Sequence, residues 1–161
     1  MARYKTLIGR YEWVAFPEQL LDMIPAKTDT GAYYTSLHAQ NIKVITKNDK
    51  KRLSFELLGG HPSSSYSRNM TVADFSVKNV SNSFGESEKR YSIKIKIKLA
   101  NKSVVTEVTL ADRSKKVFPI LLGRKLLNNR YLIDPSISGI EKSTLKEKLP
   151  SAYKEDIGDS E

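Results

Sequence analysis

Apolar and polar residues alternate with a period of two along much of the chain. The clearest run is Tyr91-Ser92-Ile93-Lys94-Ile95-Lys96-Ile97-Lys98-Leu99. Its odd positions are apolar and three of its four even ones are lysine, which predicts a half-buried strand with a charged outer face. Asn101-Lys102 predicts a turn, after which Val104, Thr106, Val108 and Leu110 carry the alternation back. Residues 7–16, rich in aromatic and branched side chains, predict an earlier strand. Residues 17–23 form a short connection, and 24–29 run extended. Residues 37–45 alternate loosely and predict another strand. A charged turn at 47–52 leads to the alternating Leu53, Phe55 and Leu57.

The remaining pattern divides by composition. Residues 59–69 (Gly-Gly-His-Pro-Ser-Ser-Ser-Tyr-Ser-Arg-Asn) predict a loop, and its Ser-rich part, 63–67, suits a flap or a surface loop. Residues 70–77 suit a short strand, and 79–90 form a second polar stretch around Gly85. A turn at 112–115 precedes a continuous apolar run at 117–122, read as a buried strand ended by Gly123. Residues 124–129 offer one or two helical turns, and Tyr131-Leu132-Ile133 a last strand before Asp134-Pro135. A helix can begin at 143–148, and the acidic residues 155–161 read as disordered. The sum is a mainly β protein with many short strands and one short helix, either a barrel or a sandwich. A domain over 1–140 and a partly disordered C-terminal extension over 141–161 are expected.

Composition narrows the classes. A chain of 161 residues suits one core, and mean hydropathy of -0.44 fits a globular protein. No apolar run reaches the length of a membrane span. Residues 1–9 lack the apolar core of a signal peptide, so the cytoplasm is expected, or the periplasm if a leader has been removed. The absence of cysteine excludes disulfides, thiol nucleophiles and cysteine-type zinc sites. Net charge is +9; residues 141–161 carry four lysines against six acids, which leaves +11 on residues 1–140. That field favours acidic partners.

Candidate chemistry centres on Asp29-Thr30-Gly31-Ala32, at the end of the extended segment. Alone, such a tripeptide is commonplace in turns. Downstream lies Ile120-Leu121-Leu122-Gly123-Arg124-Lys125-Leu126-Leu127. It has the form of the apolar-apolar-Gly segment and short helix that brace the catalytic loop in retropepsin-type peptidases. Further matching stretches are Ile24-Pro25-Ala26-Lys27-Thr28, Leu37-His38-Ala39, Asn41-Ile42, Phe84-Gly85-Glu86-Ser87-Glu88, Glu107-Val108-Thr109-Leu110-Ala111-Asp112-Arg113-Ser114, Phe118-Pro119 and Asp134-Pro135-Ser136. Together, over about residues 7–139, they resemble the retropepsin-like aspartic peptidases once labelled ATP-dependent zinc proteases. Some of these are associated with ATP-grasp glutamate ligases.

The resemblance implies a closed retropepsin-like β-barrel with one short helix. It implies Asp29 as the catalytic carboxylate, Thr30, Gly31 and Ala32 as loop support, and Leu122, Gly123 and Arg124 as the bracing segment. Thr30 would hydrogen-bond across a dimer, and Gly31 would allow close backbone approach and a turn that a Cβ opposes. The implied reaction is hydrolysis of peptide or isopeptide bonds, with acidic or polyglutamyl substrates suggested by the ligase association. Three positions beside the turn depart from the family pattern. Tyr33 stands where a basic residue is usual, Tyr34 where a small polar one is, and Thr28 where a branched apolar one is.

Such chemistry needs two carboxylates. The other Asp-x-Gly, Asp156-Ile157-Gly158, lies in the acidic tail with no strand around it, and the 24–45 block is not repeated. A homodimer in which each chain gives one Asp29 across a two-fold axis is the remaining solution. Neither metal nor nucleotide is expected. The two histidines, His38 and His61, form no His-Glu-x-x-His, and no Gly-x-x-x-x-Gly-Lys-Ser/Thr loop exists. Arg124 reads as a structural ion-pair residue near the dimer axis, with substrate contact as the alternative. Arg113 reads as a turn residue paired with Asp112 or another acid. A second function class remains: a catalytically inactive basic module that binds an acidic protein or anionic polymer. Nucleic acid is the weaker version, because few aromatics interleave with the basic residues.

Overall fold

A computed structural model describes residues 4–82 and 84–158. The strands are β1 (Thr6–Ile8), β2 (Tyr11–Phe16), β3 (Leu21–Thr28), β4 (Thr35–Lys47), β5 (Lys50–Leu57), β6 (Arg68–Val72), β7 (Phe75–Ser81), β8 (Ser87–Leu99), β9 (Lys102–Ala111), β10 (Ile120–Leu122) and β11 (Tyr131–Ile133). A 3₁₀ turn at Pro17–Gln19 links β2 to β3. Helix α1 (Arg124–Leu127) follows β10, and α2 (Lys142–Lys148) and α3 (Pro150–Asp156) follow β11.

Pairing runs β10-β3-β2-β8-β9-β4, and β10 also pairs with β4, so six strands close into a ring. This mainly β, retropepsin-like ring agrees with the fold class read from the sequence. Two of its pairings, β3–β10 and β4–β9, are parallel, while β8 and β9 form a long antiparallel hairpin. The alternation of β8 explains its place: Ile93, Ile95, Ile97 and Leu99 are buried while Lys94 and Lys98 face solvent. Phe16, Ile24, Leu37, Phe55, Leu122 and Leu126 join them in one core.

β5 and β6 extend the sheet beyond β4, and β7 pairs with β8. A register shift between Gln40 and Lys43, with Asn41 at φ 54°, bulges β4. Beyond it the residues are mostly exposed on both faces, so the β4–β5 hairpin leaves the ring as an arm. Its two-residue tip, Asn48 and Asp49, has positive φ at both positions, as a tight hairpin turn demands.

Several elements differ from expectation; the strands expected at 7–16 and 70–77 are each two, β1 with β2 and β6 with β7. The polar stretch 79–90 is mostly strand: β7 runs to Ser81 and β8 begins at Ser87. Asn82 Oδ1 accepts the N–H groups of Phe84 and Glu86 at the hairpin tip. Of the apolar run 117–122, only Ile120–Leu122 is strand, because the carbonyls of Val117 and Pro119 bond Ser63 and His38 instead of a neighbouring ladder. Among the described residues there are three α-helices rather than one. Leu145, Leu149 and Ala152 of the C-terminal extension are buried against Tyr11, Phe118 and Ile140, which turns most of that segment into packed helix. The expected disorder at 155–161 begins inside α3 and otherwise falls on Ile157 and Gly158, just past the helix, and on 159–161, outside the described residues. Among the described residues no helix is long and apolar enough to cross a membrane.

Candidate active site

β3 ends at Thr28, whose N–H and hydroxyl both donate to the Arg10 carbonyl, at 2.9 and 3.0 Å. The chain then turns through Asp29, Thr30, Gly31 and Ala32. Asp29 Oδ1 accepts the Gly31 N–H at 2.9 Å, and the Asp29 carbonyl accepts the Ala32 N–H at 3.2 Å. The carboxylate thus closes its own turn, leaving its second oxygen available. Gly31 has no left-handed backbone; a Cβ there would lie 3.2 Å from Asp29 Oδ1. Close approach to the carboxylate, not backbone strain, is what the glycine serves.

The downstream segment grips this turn. β10 lies between β3 and β4, with Leu122 opposite Thr28 and Leu121 opposite Ser36. The Asp29 N–H donates to the Leu122 carbonyl at 2.9 Å. The Gly123 N–H donates to Thr35 Oγ1 at 3.0 Å. The N–H groups of Arg124 and Lys125 reach the carbonyls of Ala32 and Tyr33, each at 2.8 Å. A Cβ on Gly123 would lie 2.5 Å from the Tyr34 carbonyl carbon and oxygen, so glycine alone permits this contact. Every residue singled out in the turn and in Leu122-Gly123-Arg124 therefore lies in one hydrogen-bonded unit.

Arg124 forms no ion pair among the described residues. Its guanidinium donates to the Thr30 carbonyl at 2.9 Å and lies 5.8 Å from the centre of the Tyr33 ring. Tyr33 and Tyr34 meet edge to face at 4.9 Å. Thr30 and Gly31 are exposed, and Tyr33 is half exposed. A cleft of about 310 Å³ beside them is lined by Tyr33, Arg124, Lys125, Asn128, Asn129 and Arg130.

Two groups beyond the expected set reach the site. Lys125 donates to Glu107 at 2.7 Å, and Ser92 donates to the same carboxylate at 2.7 Å. The Lys125 hydrogen bond above all, with Ser92 and the charges of Lys125 and Lys78, holds the Glu107 carboxyl down at about 2. This cluster ties α1 to β8 and β9. The other group is Arg113. It is not paired with Asp112, whose carboxylate accepts from Ser114 instead. The Arg113 N–H donates to His38 Nδ1 at 2.9 Å, and its Nε to the Phe118 carbonyl at 3.0 Å. Burial first and Arg90 second pull its pKa down to about 10, against the opposing charge of Asp29. No spacing rule in the sequence marks Arg113, because it lies between strands and His38 reaches it from β4.

The Ser-rich loop is anchored rather than free. Ser63 Oγ donates to the Val117 carbonyl at 2.9 Å, and His61 Nε2 meets the Lys116 carbonyl at 3.0 Å. Among the described residues no three His, Asp or Glu side chains converge as a metal site would require. Asp156 of the tail motif lies on α3, buried and paired with Arg10.

Comparison with known proteins places this geometry. A family model described as "Retropepsin-like aspartic endopeptidase RimB" matches residues 7–144. Two relatives, from Shewanella pealeana and Desulfotalea psychrophila, are both named "Probable alpha-L-glutamate ligase". They are 37% and 35% identical, over 86% and 92% of this chain. The chain spans only 30% and 32% of their length. A crystal structure of a Legionella pneumophila protein of unknown function has a TM-score of 0.65 and 28% identity, covering 84% of this chain and 97% of that one.

Proposed function

The chain belongs to the RimB-like family of retropepsin-like aspartic endopeptidases, and from that premise we propose that it hydrolyses peptide or isopeptide bonds with Asp29 as its catalytic carboxylate. The observation that carries this reading is the grip of β10 on the turn: Leu122 accepts the Asp29 N–H while Gly31 fixes Oδ1. A carboxylate held at both its backbone and one oxygen is preorganised to act through the other.

One chain supplies one such carboxylate, so the working site is a homodimer with two Asp29 residues across a two-fold axis. Exposure of Thr30 and Gly31 supports this, because those residues face outward in the single chain. Two adjacent carboxylates share one proton. The ionised one takes a proton from a bound water as its oxygen attacks the scissile carbonyl carbon. The protonated one hydrogen-bonds the carbonyl oxygen as it becomes tetrahedral. Collapse of that intermediate breaks the C–N bond, and the amine leaves with a proton.

Acidic, glutamate-containing substrates fit best. The +11 charge of residues 1–140 favours them. The chain also matches about a third of relatives named as glutamate ligases, which links it to glutamyl chemistry. Asp29→Asn should lower hydrolysis of a glutamate-rich peptide by about three orders of magnitude while leaving the fold intact. Hydrolysis at the unaltered rate, or full activity from a strict monomer in sedimentation, would overturn the reading. Salt-sensitive binding of acidic polymers that survives Asp29→Asn with no hydrolysis in either protein would favour the non-catalytic module instead.

A further inference from the structure

Arg113 forms no ion pair among the described residues. Its backbone is fixed by His38 Nδ1, and His38 is itself fixed by a 2.7 Å contact between Nε2 and the Gly59 carbonyl. Its Nε is fixed by Phe118. The two terminal guanidinium nitrogens donate to no acceptor among the described residues, and no carboxylate lies within ion-pair distance there. The side chain is nevertheless only partly exposed. A half-buried, unpaired guanidinium is costly, and burial with Arg90 accounts for its weakened hold on the proton. The charge of Asp29 opposes that shift.

The adjoining sheet face is polar where a core-facing sheet would be apolar. Leu37 and Ala39 of β4 point to the core, so Ser36 and His38 take the opposite face. In β9, Val108 and Leu110 point to the core and Thr109 and Ala111 take that same opposite face. Register sets Ser36 beside Thr109 and His38 beside Ala111, with Leu121 of the bracing strand on the other side of Ser36. Ser36 Oγ and Thr109 Oγ1 are both buried, and both lack a hydrogen-bond partner among the described residues. Buried hydroxyls of this kind are unusual and are best explained by a ligand or water that uses them.

Resting on the peptidase reading above, we propose that Arg113, together with Ser36 and Thr109 on the face it adjoins through His38, forms a subsite that receives a substrate carboxylate on the side of the ring where β10 holds Asp29. A planar guanidinium anchored through Nε presents its remaining N–H groups as a fork that matches a carboxylate. Arg113 is a specificity-determining residue here, not one that touches the bond cleaved. The subsite selects glutamate over glutamine, whose near-isosteric amide lacks the charge and turns one acceptor oxygen into a donor.

Binding is read in the Asp29→Asn background, where turnover is removed. Tetraglutamate and tetraglutamine are titrated by calorimetry, each as the free acid and as the C-terminal amide. Tetraglutamate should bind about tenfold more tightly than tetraglutamine, as expected for one charge-assisted contact. Arg113→Gln should abolish that ratio, and Arg113→Lys should retain part of it. Preference that persists in the C-terminal amides assigns the subsite to a side-chain carboxylate; equal binding of the two free acids, each tighter than its amide, would mean that the site takes the chain terminus and would overturn the selectivity proposed. Equal binding of both peptides, binding of neither, or a ratio unmoved by Arg113→Gln overturns the proposal. A variant that loses the ratio only because it unfolds is identified by its melting curve, and Arg113→Lys then carries the test. If Asp29→Asn still hydrolyses tetraglutamate at the unaltered rate, the peptidase reading fails while the Arg113 ratio is still readable at low temperature.

Discussion

His38 and His61 meet edge to face, their ring centres 5.1 Å apart, and the backbone occupies every nitrogen of both rings. Arg113 and Ser63 donate N–H groups to the two Nδ1 atoms, at 2.9 and 3.0 Å, so each Nδ1 is an acceptor and each Nε2 bears the proton. Both side chains are buried. Protonating His61 would set an N–H against the Ser63 N–H and break that tie within the 59–67 loop.

Acid should therefore loosen this pair. Burial first, and then the neighbouring His38, lower the pKa of His61 below its ordinary 6.5. Arg113 also lowers it, and the Asp112 carboxylate, 3.8 Å from His38 Nδ1, is the acid facing the pair. The unfolded chain thus binds a proton at His61 before the folded one does. Its contribution to stability is full above about pH 6.5 and falls as pH drops below that value. Urea midpoints measured from pH 7.5 to 5 should decline, and His61→Gln should flatten the decline while costing about 1 kcal/mol at pH 7.5. Imidazole nitrogen shifts should report the Nε2–H tautomer in both rings.

Gly123→Ala should be the most damaging small substitution at the site. Its Cβ would meet the Tyr34 backbone at 2.5 Å, and backbone cannot move aside as a side chain can. A loss of about 3 kcal/mol is expected from denaturant unfolding, together with loss of hydrolysis, because Asp29 hangs from the adjacent Leu122 carbonyl. Gly85→Ala is the control. It meets nothing within 4 Å and has only φ 78° against it, so about 1 kcal/mol is expected, with activity unchanged.

How far these features were legible in the sequence depends on where burial falls. β8 and β9 announced themselves because one face is core and the other is lysine. Strands β6 and β7 showed only as one short strand at 70–77, since their residues are mostly partly or fully exposed and a period-two signal needs one buried face. Asp29 and Leu122-Gly123-Arg124 were readable as short motifs whose residues are local in sequence. Arg113 was not, because its partners His38 and Phe118 and its neighbour Arg90 come from three separate segments. The C-terminal helices carried a spacing of four and three residues in Leu145, Leu149 and Ala152, but surrounding charge masked it.

Glu107 governs a second, more acidic transition. Its carboxyl, held at about 2 chiefly by the Lys125 hydrogen bond, is ionised well below the ordinary 4.5. The stabilisation is complete above about pH 4.5 and is lost as pH falls toward 2. Glu107→Gln should lower stability at pH 7 and flatten the stability profile between those values, leaving the decline below pH 6.5 untouched. Circular dichroism along an acid titration, read with and without His61→Gln, separates the two limbs.

Arg10 and Asp156 give the last and most asymmetric prediction. Arg10 donates to Asp156 Oδ1 and, at 3.0 Å, to the Pro135 carbonyl, while its own carbonyl accepts the N–H of Thr28 just before the Asp29 turn. The Asp156 side chain is 2% exposed and that of Arg10 is 24% exposed. Removing the arginine leaves a buried carboxylate without a counter-charge, whereas removing the aspartate leaves a cation that can still reach water. Arg10→Ala should thus cost about 3 kcal/mol and Asp156→Ala about 1 kcal/mol, the smaller value reflecting solvent screening of the exposed partner. The double variant should recover part of the Arg10→Ala loss, since no charge then remains stranded. Because Leu145, Leu149 and Ala152 of the same helices pack on Tyr11 and Phe118, the loss should appear as protease sensitivity near 150 before global unfolding. Equal costs for the two single variants would mean that Asp156 reaches water in solution and that α3 is not docked through this pair.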